Sequence, residues 1–100
     1  MKITPERIMA IVAQEFNLTV ADLISPKREK IVTTARALAM DLINDRCGLS
    51  LGRIAPMFNR SRPTAYSTHV AFRKELVHAS WQDIERILAA RMKTFEGYAA

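Results

Sequence analysis

Apolar residues recur at helical spacing along most of the chain and nowhere alternate in the two-residue rhythm of a strand. Thr4-Pro5-Glu6 supplies a capping hydroxyl, a first-turn proline and a first-turn acid. Behind it Ile8, Ile11, Val12 and Phe16 predict a first helix that Asn17 ends. Thr19-Val20-Ala21-Asp22 reads as a capping box, with Asp for the usual Glu, opening a short second helix that ends near Ile24. After the break at Ser25-Pro26, the stripe Ile31, Ala35, Leu38, Ala39, Leu42 and Ile43 predicts a long third helix stopping at Cys47-Gly48. Ser50 caps a short fourth helix carrying Leu51, Ile54, Ala55 and Phe58, with Pro56 tolerated in its first two turns. A fifth helix begins between Ser61 and Pro63 and runs to about Val77. Ser80 caps a sixth, with Trp81, Ile84, Ile87, Leu88, Met92 and Phe95 on one face. The expected fold class is all-α: one domain of about six helices over residues 1–100.

Composition fits that picture and narrows the partner. Forty-nine percent apolar residues with 3 Gly and 4 Pro argue against disorder. No apolar run is long enough to span a bilayer, and MKITPERIMAIVAQEF lacks the features of a secretory signal, so no membrane partner is expected. Cys47 has no second cysteine to pair with and is expected to be a buried thiol in a reducing cytosol, not a nucleophile. The net charge of +5 is concentrated. Residues 27–36 carry +3 and residues 53–74 carry +5 with no acid, while the other three stretches each sum to −1. Two solvated basic faces would leave the same map, but a polyanion is its natural complement.

The second basic segment contains a short helix (50–58), a tight polar turn (59–61) and a longer helix (62–77), the proportions of a helix-turn-helix. In that arrangement the open N–H groups at the start of the second helix favour phosphate, and its first-turn side chains reach base edges in the major groove. Arg60 and Arg62 bring charge; Ser61, Thr64, Ser67 and Thr68 bring short hydrogen-bonding groups; Pro63 suits the first helical position. No acid follows until Glu75.

At these residues the chain resembles the C-terminal DNA-binding domain of the bacterial replication initiator DnaA, of Trp-repressor-like fold. "VADLIS" (20–25), the basic "PKREK", "TTARALAMDL" (33–42) and "SLGRIAPMF" (50–58) follow that family's V-x-D-L-L-S segment, Lys/Arg-rich loop, A-R-x-x-A-M helix and S-L-x-x-I-G-x-x-F helix in order. The resemblance implies that the loop bearing Lys27, Arg28 and Lys30 enters the minor groove through Arg28. It further implies that Arg36 holds a phosphate, and that Arg62, Pro63, Thr64 and Ala65 stand where bases are read. The family's G-R-D-H-T/S-T-V signature is nevertheless replaced. Arg62 and Pro63 occupy the acidic and histidine positions, only Thr64 survives, and Ala37 stands where a glutamine is common. Recognition of the usual initiator box is therefore not expected.

The family's ATPase module has no counterpart here, since no Gly-rich phosphate loop with Lys-Ser/Thr occurs. The chain is thus expected to be a fragment or, as Met1 and the capped first helix favour, a stand-alone protein. Cys47, His69 and His78 lack zinc spacing and no carboxylate pair suggests a catalytic cleft, so neither a metal, a cofactor, a small-molecule substrate nor an enzyme is expected. His69 reads as a helix-face or partly packed residue, and His78 as a favourable charge at a helix end. Trp81 reads as core or packing lid. Tyr66 either packs inward or meets a thymine methyl. The functional expectation is a cytoplasmic, nucleoid-associated regulator of transcription or replication that binds double-stranded DNA, with replication or transcription proteins as further partners. It would act as a monomer or weak homodimer, the last helix being the candidate dimer surface. The alternative is an adaptor that modulates initiation and keeps the fold without reading DNA.

Overall fold

The computed structural model describes residues 2–95, which are helical with no strand among them. Helix α1 (Pro5–Glu15) is capped by Thr4 Oγ1, which accepts from the Arg7 N–H at 3.2 Å. It closes at Asn17, whose φ of 56° turns the chain into the left-handed region. Helix α2 (Val20–Ile24) opens with the expected capping box: the Asp22 N–H donates to Thr19 Oγ1 at 3.1 Å, and the Thr19 N–H to Asp22 Oδ2 at 3.0 Å. Helix α3 (Lys30–Cys47) ends at Gly48, where a φ of 69° favours a residue without Cβ.

Helix α4 is shorter than its pattern suggests. It covers Leu51–Ile54, and the chain then tightens into a 3₁₀ turn over Ala55–Phe58. Pro56 lacks the N–H that would continue the α ladder, and its ring crowds the carbonyl four residues back. Asn59 then takes φ 55°, Ser61 caps the next helix, and α5 runs over Arg62–Glu75. A 3₁₀ turn over Leu76–His78 leads to α6 (Trp81–Lys93), capped by Ser80 Oγ.

Helix α3 is the centre of the fold. Every residue from Ala35 to Ile43 is buried, including Arg36 and Asp41. The expected single apolar stripe is thus an all-round buried segment, because Ala35, Ala37 and Ala39 leave room for neighbours on several sides. Helices α1, α2, α4 and α5 all pack on it. Phe16, Phe58, Ile8, Leu23, Leu38 and Ile54 fill the core around it with no more than 1% of their surface exposed to solvent.

Helix α6 packs against α1. Its inner side is Ile87, Ala90 and Thr94, and Lys93 pairs with Glu15. The six apolar residues assigned to one face do not share one environment. Ile87 is buried and Ile84 half-buried, whereas Trp81 (73% exposed), Leu88 (57%), Met92 (65%) and Phe95 (63%) face solvent. Trp81 is therefore neither core nor lid. The apolar arc is wider than one helix contact, and the small Ala90 side is the one that approaches α1.

Candidate nucleic-acid interface

The two basic segments meet at one carbonyl. Ser25 O accepts from Arg36 Nη2 at 2.8 Å and from Arg60 Nη2 at 2.7 Å. Arg36, rooted in α3, also donates from Nε to Leu23 O at 2.7 Å and from Nη2 to Lys27 O at 3.1 Å. Arg60, rooted in the turn before α5, donates from Nη1 to Phe58 O at 2.8 Å. The loop between α2 and α3 is thereby tied to the central helix and to the turn of the helix-turn-helix. Burial first, and the neighbouring Arg60 charge second, lower the Arg36 pKa from its ordinary value.

These bonds change the role of Arg36. Its side chain is spent on backbone carbonyls and the residue is 6% exposed, so it offers a phosphate almost no surface. Ala65 moves as well. It is completely buried, on the side of α5 that joins the core with Phe72, and cannot meet a base edge. Both corrections have one cause: motif position fixes the residue, but the helix facing decides whether it looks in or out. Arg60 is half-buried and faces the loop.

What looks outward is a smaller set. Arg62, Pro63, Thr64 and Ser67 are exposed on the opening turns of α5, and Thr68 is half-buried. Ser61 Oγ accepts from the Thr64 N–H at 3.4 Å and donates to Thr64 Oγ1 at 2.9 Å, so the capping pair fixes the first turn. The Arg62 guanidinium lies 5.8 Å from the centre of the Tyr66 ring, one helical turn on. Tyr66 is 45% exposed and does not pack inward. On its other side, Arg62 runs over Gly52 of α4: a Cβ placed there would sit 3.4 Å from Arg62 Cδ and Nε. Sequence reasoning gave Tyr66 a place in the site as only one of two readings and left Gly52 out. The four-residue spacing of an arginine and a tyrosine was a signal for the first; nothing local signalled the second.

In the loop, Arg28 is exposed and has no ion pair among the described residues. Lys27 pairs with Asp22 at 2.7 Å, and Lys30 with Glu75 at 2.9 Å, both on the surface. The Lys27 ammonium and then the Thr19 backbone N–H hold the Asp22 carboxyl down at about 2. Elsewhere on α5, Arg73 is turned toward the buried Asp41 at 3.1 Å. His69 Nδ1 is 3.5 Å and Arg91 3.7 Å from the same carboxylate. His69 is thus half-buried, facing α3 and not solvent. The sequence count of basic residues overstates the outward charge, because several guanidinium and ammonium groups are consumed inside the fold or by acids.

Among the described residues no helix is long and apolar enough to cross a membrane. Residues 5–71 match the family described as "Bacterial dnaA protein helix-turn-helix". Among curated proteins, the chain is 28% identical over 95 residues to the chromosomal replication initiator protein DnaA of Thermomicrobium roseum, an alignment covering 95% of this chain and 20% of that protein. It is 42% identical over 55 residues to the Microcystis aeruginosa protein of the same name, covering 55% of this chain and 12% of the relative. With the Synechocystis protein it is 43% identical over 54 residues, covering 54% and 12%. The chain therefore spans a fifth or less of the length of these relatives.

Proposed function

The chain belongs to the helix-turn-helix family of bacterial DnaA proteins, and from that membership we propose that it binds double-stranded DNA through two grooves at once. In this reading the opening turn of α5 enters the major groove, where Arg62 and Thr64 contact bases and Tyr66 stands beside them. The loop 25–30 lies along the adjacent minor groove and inserts Arg28. The observation that carries the reading is the shared Ser25 carbonyl, through which Arg36 and Arg60 hold loop and turn in one fixed relation. A protein that reads two grooves needs that relation set before it meets DNA, because ordering it on binding would cost affinity. No step of chemistry is assigned to the site. The chain acts as a DNA-binding regulator of transcription or replication, in the cytoplasm with the chromosome, and not as an ATPase.

The test is a selection from a randomised duplex pool followed by salt titration of the winning site. Affinity falls steeply with salt, by about 0.9 in the log–log slope for each phosphate neutralised. Arg28→Ala lowers that slope by about 1, and Arg62→Ala relaxes the preference at its base pair by about 1–3 kcal/mol. The substituted signature at Arg62-Pro63 motivates a second reading, an adaptor that keeps the fold and binds a replication protein. No duplex selected, and no DNA affinity at low salt, would decide for that reading.

A further inference from the structure

Arg62 is held without being satisfied. Its guanidinium lies over the Tyr66 ring, 5.8 Å from the ring centre, and its stem runs across Gly52 of α4. Among the described residues it donates no hydrogen bond and pairs with no acid. Neighbouring arginines differ: Arg36 and Arg60 donate to backbone carbonyls, and Arg73 faces Asp41. An aromatic face on one side and a bare backbone on the other hold Arg62 and leave its N–H donors open. The turn beneath it is stiff as well, because the Thr64 N–H donates to Ser61 Oγ and Pro63 fixes its own φ. Glycine weakens a helix, so Gly52 costs α4 stability. What it admits in return is Arg62. A Cβ at Gly52 would stand 3.4 Å from Arg62 Cδ and Nε and 3.7 Å from Cγ. One methyl group fits at that distance; a branched side chain would occupy the arginine's path.

We infer that Arg62 reads a guanine, and that Gly52 and Tyr66 are its positioning residues. The inference rests on the reading of α5 as the helix that enters the major groove. A guanidinium only donates, and guanine alone sets two acceptors, N7 and O6, side by side on its major-groove edge. Adenine puts a donor beside N7, thymine puts a methyl group beside its one acceptor, and cytosine offers a donor. A freely moving arginine settles equally well on a phosphate. One laid along Gly52 and against Tyr66 presents its edge in one direction and loses less freedom on binding. Tyr66 acts through Arg62 and not on the base that Arg62 reads.

Selection from a randomised duplex pool finds the base pair at which Arg62→Ala relaxes the preference, and that pair carries a guanine. Replacing this guanine by 7-deazaguanine, which lacks N7 but still pairs, weakens wild-type binding by about tenfold. Arg62→Ala is indifferent to the replacement, and Arg62→Lys keeps only part of the effect because an ammonium has no fork. Tyr66→Leu and Gly52→Val each lower the guanine preference by about threefold, whereas Tyr66→Phe keeps the ring, Gly52→Ala keeps the room, and both keep the preference. In the Arg62→Ala background neither Tyr66→Leu nor Gly52→Val changes binding at that pair. Urea midpoints of these variants stay at the wild-type value or above, since valine and alanine both favour a helix over glycine. If Gly52→Val does not fold, Tyr66→Leu carries the test alone. A selected pair without guanine, or equal binding to guanine and 7-deazaguanine, overturns the inference while DNA binding stands. So does a guanine preference untouched by Tyr66→Leu and Gly52→Val. A pool that yields no duplex overturns the reading of α5 itself, and this inference with it.

Discussion

Helices α5 and α6 have nearly the same length, 14 and 13 residues, both begin after a serine cap, and each buries just two side chains. What they show to solvent is opposite. The outer side of α5 opens with Arg62, Pro63 and Thr64, an exposed polar turn; the outer side of α6 is Trp81, Leu88, Met92 and Phe95. Internal packing explains neither, because the core uses only Ala65 and Phe72 of one and Ile87 and Ala90 of the other. The contrast teaches that a helix contributing little to its own core is held in the fold for what its other side does. On α5 that side is the one proposed to meet DNA; on α6 it is apolar and open to solvent.

The largest effects come from the inner sides, where the two helices are alike. Phe72→Ala costs about 3–5 kcal/mol and Ile87→Ala about 2–5 kcal/mol in urea unfolding, through lost burial and the cavity left. Arg62→Ala and Leu88→Ala, on the outer sides, stay within about 0.5 kcal/mol. If an outer substitution destabilised as much as an inner one, the assignment of faces would be wrong. A second comparison separates the outer sides by function. Arg62→Ala lowers affinity for a selected duplex by about tenfold or more, while Leu88→Ala leaves it unchanged. Equal losses would erase the distinction between the two helices.

The next effect down concerns how the α5 turn is positioned. Arg60→Met keeps much of the side chain's packing and removes the bond to Ser25 O, while Arg36 still holds that carbonyl. Stability falls by about 1–2 kcal/mol. DNA affinity falls mainly through the loop, so Arg28→Ala added to Arg60→Met costs less than it does alone. Full additivity in that double-mutant cycle, read together with unchanged amide exchange over residues 25–30, would refute coupling through the carbonyl. Arg60→Lys restores part of the effect, because one ammonium can reach one carbonyl but not fork between two.

How much of this was legible follows the range of the interactions. Caps act within four residues, so Thr4, Thr19 with Asp22, Ser50, Ser61 and Ser80 all announced helix starts that the structure keeps. Asn17, Gly48 and Asn59 marked the chain reversals for the same reason. The inward turn of Arg36 and Arg60 was not legible, because the acceptors that tie them to the α2–α3 segment lie 9 to 14 and 35 residues away and are in place only when that segment is folded. Ala65 failed for a related reason: a motif position says which residue stands there, and only the packing of α5 on α3 says that it faces in. The outer side of α6 was visible as an apolar face, but periodicity cannot tell a face that meets the core from one left open to solvent.

The smallest expected effect isolates the loop from both helices. Asp22 titrates at about 2 in the fold against an ordinary 3.8, with the Lys27 ammonium as the first cause. A depressed carboxyl adds stability that is fully present above its unfolded value and is lost as pH falls through the folded one. The wild-type melting temperature therefore drops between about pH 4 and pH 2 by an increment that Asp22→Asn lacks, the pair being solvent-exposed and the increment small. The same substitution releases Lys27 from its acid and leaves the loop one unpaired cation richer. Affinity for DNA then rises by no more than about threefold at low salt, and the gain vanishes as salt screens it. A loss of affinity would mean instead that Asp22 is needed to hold the loop in place, and that the loop's position depends on its surface pair as well as on Arg36 and Arg60.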